Sequence, residues 1–456
     1  MRLLLKDSID APRKAKEFLH SQINYLRSMS PTAKGNFRWT VVALLFFATT
    51  INYIDRQVIG LLKPALTLEF GWDNTTFGYV NGMFQFFYAI GLLLFGRIID
   101  RLGTKPGYTI SIIFWSVAAM GHALAKSTFG FIVARSALGL GESGNFPAAI
   151  KAVAEWFPKK ERALATGIFN SGANIGAVVA PIMVPWILGS YGWREAFIIT
   201  GALGFIWLVL WLIYYEIPSR KKNLSKAEFG FIHSDSDANE DHTKRSSWAQ
   251  LLRVRQTWAF VIGKFLTDPI WWFFLFWLPG YFNETFKLDL TEPGWPLVVV
   301  YTATTFGSIG GGYLSSYLIR KGWPVFKARK RAMLIFAIAV VPIMTARYFD
   351  NMWIIVALIS LAAAAHQAWS ANIFTTASDM FPRKAVSSVV GIGGMAGSIG
   401  GILFQPFVGW LLDYFAHLGN RTMGYNIIFL VCGCAYLLAW LAMHLITPTM
   451  KPVKLD

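Results

Sequence analysis

Charged residues and cysteines are scarce in this sequence. Only 15% of its 456 residues are Asp, Glu, Lys or Arg, whereas soluble domains carry about 25%. The 2 cysteines, Cys432 and Cys434, lie two positions apart and would point to different faces of a helix. The sequence therefore predicts neither a disulfide nor a metal site at these residues. The shortage of charge is typical of a protein embedded in lipid.

Motifs for catalysis are also missing. The 7 histidines are scattered, no nucleophile–base set is apparent, and no glycine-rich phosphate-binding motif follows a strand. The first residues, MRLLLKDSID, have too short an apolar core for a cleaved signal peptide. We therefore expect no catalytic residue, no metal and no cofactor. A membrane enzyme or sensor is the least supported class of function.

Long apolar runs, in contrast, are abundant. A helix that spans a membrane needs roughly 20 predominantly apolar residues, and twelve such runs can be counted. They cover residues 40–62, 77–99, 107–125, 127–150, 163–188, 195–215, 257–281, 295–319, 332–348, 352–376, 387–413 and 424–446. The sequence therefore predicts an all-α membrane protein with twelve transmembrane helices.

The net charge of +17 is unevenly distributed. Lysines and arginines crowd the N-terminal tail, the central polar loop and alternate short loops, such as residues 159–162, 327–331 and 383–384. The opposite loops hold only Lys63, Lys126, Arg194, Lys287, Arg347 and Arg421. By the positive-inside rule, both termini and the central loop lie in the cytoplasm. A membrane therefore explains the charge better than a nucleic-acid partner does.

Two segments of the chain resemble each other at a constant offset of 224 residues. AEWFPKKERALATGIFNSGANIG (154–176) and SDMFPRKAVSSVVGIGGMAGSIG (378–400) share, for example, Phe157/Phe381, Pro158/Pro382 and Gly176/Gly400. Each segment joins a fourth span to a fifth, so the chain consists of two six-helix bundles related by pseudo-symmetry. Bundles of this kind can open a central site alternately to each side of the membrane.

This repeat defines the expected domains. They are a cytoplasmic N-terminal tail at 1–38, an N-terminal bundle at 39–215, a cytoplasmic linker at 216–256, a C-terminal bundle at 257–446 and a cytoplasmic tail at 447–456. The glycine-rich fifth and eleventh spans are suited to close approach and sliding of helices, and the same glycines also provide ordinary tight packing.

Four charged residues fall within apolar runs of the first half. Asp55 and Arg56 lie in INYIDRQVIG, and Arg135 and Glu142 are seven positions apart in the fourth span, about 10 Å along one helix face. A charge at the bilayer centre costs at least about 2.5 kcal/mol, so each needs a partner or a function. Either Asp55 and Arg56 meet water at the span's outer end and Arg135 bridges Glu142, or the set binds an anion and carries protons.

The second kind of explanation is chemically coherent. Guanidinium groups present a planar fork of donors that matches a carboxylate, and a buried carboxyl group takes up a proton more readily than an exposed one. A substrate carboxylate would occupy the arginines, while protons neutralise the acids whose partners have been taken.

The second half adds polar residues in predicted spans. His366 lies 224 residues after Glu142, so it either contacts a substrate or titrates there, or it is a packed polar group beside Gln367. Lys264 and Asp268 are four residues apart in the seventh span, and we expect them to form an ion pair along the helix.

The loop GRIIDRLGTKPG (96–107) resembles the signature of the major facilitator superfamily. The resemblance implies two pseudo-symmetric six-helix bundles and a conformational role for Gly96, Asp100 and Arg101. Gly96 would allow close helix contact. Asp100 would pair with an arginine or a helix N-terminus and hold one conformation closed.

NYIDR in the first span, with an arginine and a glutamate two turns apart in the fourth, resembles the anion:cation symporter family. Residues 366–401 are similar to bacterial hexuronate transporters, which carry glucuronate and galacturonate. The resemblance implies that Asp55 and Glu142 are the proton-coupling pair. The substrate-binding residues that the resemblance implies are Tyr53, Arg56, Tyr88 and Arg135. From their positions in the predicted fifth and tenth spans, we also expect substrate contacts at Asn170, Asn174, His366, Trp369 and Ser370. Some sugar-acid members have a glutamine in the fifth span where this chain has Asn170, Ser171 and Asn174, which leaves the exact sugar acid open.

We therefore expect a proton-coupled symporter that imports a sugar acid, a hexuronate in first place, across a bacterial inner membrane. An organic-anion antiporter or exporter, or a symporter of an aldonate such as galactonate, is the alternative. The expected partners are the anionic substrate, protons and the lipid bilayer, and we expect a monomer.

Overall fold

The computed structural model describes residues 35–72, 74–234, 247–287 and 295–453, which form helices and connecting segments without a strand. The α-helices are α1 (Phe37–Leu61), α2 (Lys63–Phe70), α3 (Asn74–Leu102), α4 (Thr104–Gly121), α5 (Thr128–Glu142), α6 (Asn145–Trp156), α7 (Lys159–Ser190), α8 (Trp193–Tyr214), α9 (Lys226–Ile232), α10 (Trp248–Arg253), α11 (Arg255–Phe276), α12 (Leu278–Phe286), α13 (Trp295–Arg320), α14 (Val325–Val340), α15 (Met352–Met380), α16 (Val386–His417) and α17 (Arg421–Ile446).

Ten helices among the described residues are long and apolar enough to cross a membrane. The predicted fourth and seventh spans are the ones outside this set. The fourth is broken into α5 and α6 at Ser143–Gly144, where a Cβ on Gly144 would lie 2.3 Å from Ser111 Oγ. The seventh is α11, which carries Lys264, Asp268 and an internal proline, Pro269. The all-α membrane architecture expected from the sequence is confirmed.

The helices of each half pack mainly on one another. In the first half α1 packs along α7 and α8, α3 along α5, and α4 along α8. In the second half α13 packs along α15, and α11 along α16 and α17. Two broad contacts join the halves, namely α7 with α13 and α3 with α16. The fifth span thus contacts the eighth, and the second span contacts the eleventh.

Glycines permit the close approach at these two contacts. A Cβ on Gly312 of α13 would lie 2.1 Å from the carbonyl oxygen of Ala163 in α7. A Cβ on Gly391 of α16 would lie 2.1 Å from the carbonyl oxygen of Leu92 in α3. Real side chains do not tolerate such distances, so these positions require glycine while the halves are in contact.

The contacts between the halves lie towards one end of the molecule, which we call the basic end because it carries the basic loops 101–105, 159–162 and 327–331. Arg162 donates to the carbonyl oxygen of Ser378 (2.6 Å) and pairs with Asp379 (3.4 Å). Arg329 pairs with Asp379 (3.0 Å) and donates to the carbonyl oxygen of Lys159 (2.7 Å). The basic end is closed by these charge-assisted bonds.

The described part of the expected linker is not detached from the bundles. Glu228 of α9 accepts hydrogen bonds from the backbone N–H groups of Phe37 (3.2 Å) and Arg38 (3.1 Å) at the start of α1. Arg38 also pairs with Glu161 (2.9 Å) at the start of α7. The linker therefore caps the first span from the basic end. The expected N-terminal tail lies largely outside the described residues.

Candidate functional site

A central cavity lies between the halves. It encloses about 640 Å³ of space not filled by atoms, the open solvent at its mouth included. Its lining from the first half is Tyr53, Arg56, Tyr88, Leu92, Phe146 and Asn170. Its lining from the second half is Lys264, Asp268, Trp271, Trp272, His366, Gln367, Ser370, Phe374, Val390, Gly394 and Ser398. Both halves thus contribute charged, polar and aromatic groups.

Arg56 and Glu142 form a buried ion pair at this cavity. The Nε and Nη2 atoms of Arg56 lie 3.0 Å and 2.9 Å from Oε2 of Glu142, and Nη2 donates to Asn52 Oδ1 (3.3 Å). The guanidinium carbon lies 4.7 Å from the ring centroid of Tyr53 and 4.8 Å from that of Tyr88. Arg56 is therefore held by a carboxylate and by two aromatic faces.

Arg135 lies behind Arg56 and outside the cavity lining. Its Nη2 donates to the carbonyl oxygen of Arg56 (2.8 Å) and to Asn81 Oδ1 (3.2 Å). Its Nε and Nη1 have no hydrogen-bond partner in the described part of the chain. Phe84 lies between the two arginines, with ring centroid distances of 4.5 Å to Arg135 and 5.2 Å to Arg56. Glu142 is thus paired with Arg56, and not with Arg135 as a structural bridge would require.

Asp55 points away from the cavity, although it is next to Arg56 in sequence. It faces Thr200 of α8 and interacts electrostatically with Glu142 and Arg135. Asp55 is 2% exposed and Arg56 9% exposed, so the pair does not meet water at the end of α1. Adjacent residues on a helix point in directions about 100° apart, since a turn has 3.6 residues, and this explains their different neighbours.

The fifth and tenth spans cross-link the halves at the wall of the cavity. Asn170 Nδ2 donates to Gln367 Oε1 (2.9 Å) and to Ser308 Oγ (3.2 Å). Gln367 Nε2 donates to Asn174 Oδ1 (3.3 Å). Asn170 lines the cavity, whereas Asn174 lies outside its lining. These amides join the two halves beside the cavity.

The tenth span places only part of its polar segment at the cavity. His366 lines the cavity, stacks on Trp271 with ring centroids 5.2 Å apart, and hydrogen-bonds to the hydroxyl of Tyr436. Ser370, one turn later, also lines it. Trp369 is fully buried against the edge of Tyr436 and lies outside the lining.

The sequence did not place Lys264 and Asp268 at the cavity. The expected ion pair is confirmed, with Lys264 Nζ 2.8 Å from Asp268 Oδ2, but both residues also line the cavity. Phe146 and Phe374, which stack across the halves with ring centroids 5.3 Å apart, are further lining residues that the sequence did not indicate. Hydrophobic patterning cannot distinguish a cavity-facing aromatic residue from a core residue.

The candidate gating residues lie at the basic end. Asp100 pairs with Lys151 (2.9 Å) and accepts hydrogen bonds from the backbone N–H groups of Ser387 (3.3 Å) and Ser388 (2.6 Å). These donors form the start of α16, so Asp100 binds a helix N-terminus, one of the two partners considered from sequence, and Lys151 in place of an arginine. A Cβ on Gly96 would lie 2.6 Å from the carbonyl oxygen of Ser387. Arg101 is exposed.

Known proteins are similar to this chain in both sequence and fold. A hexuronate transporter of Escherichia coli (strain K12) is 33% identical over 397 residues, covering 86% of this chain and 90% of that protein. A galacturonate transporter of Dickeya chrysanthemi is 33% identical over 330 residues, 72% of this chain and 95% of that protein. The structure of the proton:xylose symporter XylE superposes with a TM-score of 0.73 at 16% identity, covering 92% of this chain and 98% of that one.

The family model of the Major Facilitator Superfamily matches residues 45–404. This match includes the helices that line the central cavity from the first half and α11 to α15 of the second. With the two-bundle fold and the inter-bundle cavity, it shows that the chain belongs to the major facilitator superfamily of membrane transporters.

Proposed function

We propose that the protein is a proton-coupled symporter that imports a hexuronate by alternating access. The observation that carries this proposal is the buried Arg56–Glu142 pair, whose arginine lines a cavity between two halves that are joined at one end. The names of the hexuronate and galacturonate transporters at 33% identity support the class of substrate.

The pair supplies the chemistry of coupling. A substrate carboxylate that binds Arg56 competes for Nε and Nη2, the donors that Glu142 now occupies. Once displaced, the buried Glu142 carboxylate has lost its counter-charge, and protonation removes the unfavourable charge. One proton therefore accompanies one substrate anion at this pair, with Asp55 as the second acidic group near it.

Arg135, the second arginine near the site, holds Arg56 in position. Arg135 fixes the backbone of Arg56 through its carbonyl oxygen and carries donors without partners among the described residues. A substrate carboxylate that enters deeper would reach these donors. A shift of the Phe84 ring would also bring them within reach of the cavity. Tyr53 and Tyr88 flank the guanidinium and orient it towards the cavity.

Alternating access follows from the arrangement of the contacts. In the described residues, hydrogen bonds between the halves run from the basic end to the level of Gln367. With the basic end in the cytoplasm, the conformation described is closed to the cytoplasm. Release inside requires separation of Asp100 from the start of α16 and of Asp379 from Arg162. The termini would then be cytoplasmic and the membrane a bacterial inner membrane.

Uptake in proteoliposomes tests this function. Purified protein is given radiolabelled galacturonate, glucuronate, galactonate and xylose, with an imposed pH gradient that is acidic outside. We expect accumulation of the uronates above equilibrium, and loss of accumulation when a protonophore collapses the gradient. Uptake whose rate does not depend on the pH gradient would instead favour an antiporter. So would exchange against an internal anion that is faster than net uptake. Preference for galactonate would reassign the substrate to aldonates.

A further inference from the structure

Lys264 and Asp268 form a second ion pair at the cavity, opposite Arg56. Their side chains are 6% and 20% exposed, and the Nζ–Oδ2 distance is 2.8 Å. Asp268 interacts electrostatically with both Tyr53 and Tyr88 of the first half. The pair thus faces, across the cavity, the tyrosines that flank the arginine of the first pair.

The pair is confined by neighbouring helices. A Cβ on Gly397 of α16 would lie 2.1 Å from Asp268 Oδ2, so the carboxylate rests against a glycine backbone. Lys264 Nζ lies 4.1 Å from the ring centroid of Phe374, and it interacts electrostatically with His366. A confined pair of fixed geometry can distinguish ligands, because neither group can swing away from an unsuitable one.

We propose that the Lys264–Asp268 pair binds the hydroxyl-bearing end of the substrate and excludes a second carboxylate, so that the site accepts sugar monoacids and rejects diacids. This inference rests on the proposed function, since it takes Arg56 as the group that binds the substrate carboxylate. Each half then contacts one end of the same molecule.

The chemistry of a closed ion pair accounts for this selectivity. An ammonium group has three donors and a carboxylate has about four acceptor positions, so the pair retains both a donor and an acceptor side by side after bonding to itself. Two neighbouring sugar hydroxyls match that arrangement. A second carboxylate would gain Lys264 but would meet the like charge of Asp268, and such repulsion is an effective means of rejecting a ligand.

Substitution of Asp268 by asparagine separates the repulsion of a second carboxylate by Asp268 from its attraction to Lys264. Asp268→Asn removes the repulsive charge and leaves Lys264 as an uncompensated cation in the cavity. Proteoliposomes are supplied from outside with competing galacturonate and galactarate. We expect the ratio of galactarate uptake to galacturonate uptake to rise by about tenfold or more. Adding Lys264→Gln to Asp268→Asn removes the cation, and the double variant should lose the gain for galactarate.

A matched control is available at the surface of the molecule. Glu69 forms an ion pair with Arg194 at 2.9 Å, and both side chains are substantially exposed. Glu69→Gln also removes one acid from an ion pair, but it lies outside the cavity lining, so its uptake ratio should equal that of the wild type. An equal shift in this variant would overturn the assignment to the cavity pair.

The outcomes distinguish the inference from the proposed function. Wild-type protein that takes up no sugar acid would overturn the proposed function. Wild-type protein that takes up galacturonate, with an unchanged ratio in Asp268→Asn, would overturn this inference alone. If Asp268→Asn does not fold because its lysine is unpaired, the inference is tested with the double variant, in which both residues are neutral. Its KM for galacturonate should rise about tenfold, and an unchanged KM contradicts hydroxyl binding at this position.

Discussion

Glu142 binds Arg56 through a single carboxylate oxygen. Oε2 accepts a hydrogen bond from Nε of Arg56 (3.0 Å) and lies 2.9 Å from its Nη2, while Oε1 has no hydrogen-bond partner in the described residues. A buried carboxylate that leaves one oxygen unsatisfied is bound less firmly than one with a bidentate partner. In the proposed mechanism, this weaker attachment allows a substrate carboxylate to replace Glu142 at Arg56.

Glu142→Gln is expected to abolish accumulation that is driven by a pH gradient. Glutamine keeps the shape of the side chain and donates or accepts hydrogen bonds, but it neither pairs with Arg56 as an anion nor binds a proton. Exchange of labelled for unlabelled substrate needs no net proton movement, so it should persist in part. Both quantities are measured in the same proteoliposome preparation.

Glu216→Gln serves as the control for this experiment. Glu216 pairs with Lys105 at 3.2 Å outside the cavity, and both side chains are about one-third exposed. Its substitution should leave accumulation at the wild-type level. Retained gradient-driven accumulation in Glu142→Gln would remove Glu142 from the coupling mechanism.

Arg56→Lys is expected to raise the KM for the substrate by about tenfold or more, because a lysine ammonium cannot reproduce the planar fork of donors. Arg135→Lys should also weaken substrate binding, but less, since Arg135 lies outside the lining and acts on the backbone of Arg56. Transport assays over a range of substrate concentrations give both KM values. Arg194→Lys, at an exposed ion pair, is the control, and an unchanged KM in Arg56→Lys would contradict carboxylate binding there.

Asp100→Asn is expected to open the basic end. Asp100 joins Lys151 of the first half to the N-terminal amides of α16, so the neutral variant weakens two charge-assisted contacts at once. Spin labels on cysteines at positions 102 and 323, which are exposed at this end in opposite halves, report the separation. The native cysteines, Cys432 and Cys434, are first replaced by alanine.

We expect the distance distribution between the labels to shift to longer values in Asp100→Asn. Glu155→Gln provides the comparison, because Glu155 accepts from Thr104 and Tyr215 within the first half and does not join the halves. Identical distributions in the wild type and Asp100→Asn would show that this contact does not hold the basic end closed.

The sequence indicated the fold because the bilayer imposes a length on each span. Apolar runs and basic loops report that constraint directly. The sequence did not indicate the break between Glu142 and Asn145, because Ser143 and Gly144 are compatible with a continuous helix. Only the packing of Gly144 on Ser111 shows why a small residue is needed there.

The site was indicated in outline only. Charges in apolar runs predicted Arg56 and Glu142 as site residues, and in the structure the two pair with Arg56 in the cavity lining. The same pattern did not show that Asp55 faces Thr200 or that Trp369 packs on Tyr436. Lys264 was expected to pair with Asp268. Which face of a helix borders the cavity depends on how two halves meet, and local spacing contains little of that information.

Gly312→Ala is expected to destabilise the closed conformation, because its Cβ would lie 2.1 Å from the carbonyl oxygen of Ala163. Relieving such an overlap requires α7 and α13 to separate, and overpacking of this kind costs roughly 1–3 kcal/mol. Gly310→Ala in the same helix meets nothing within 4 Å, so it should be neutral or slightly stabilising. Thermal unfolding of the purified proteins, followed by tryptophan fluorescence, should show a lower Tm for Gly312→Ala only. Equal Tm values would mean that the contact between α7 and α13 contributes little to the stability of this conformation.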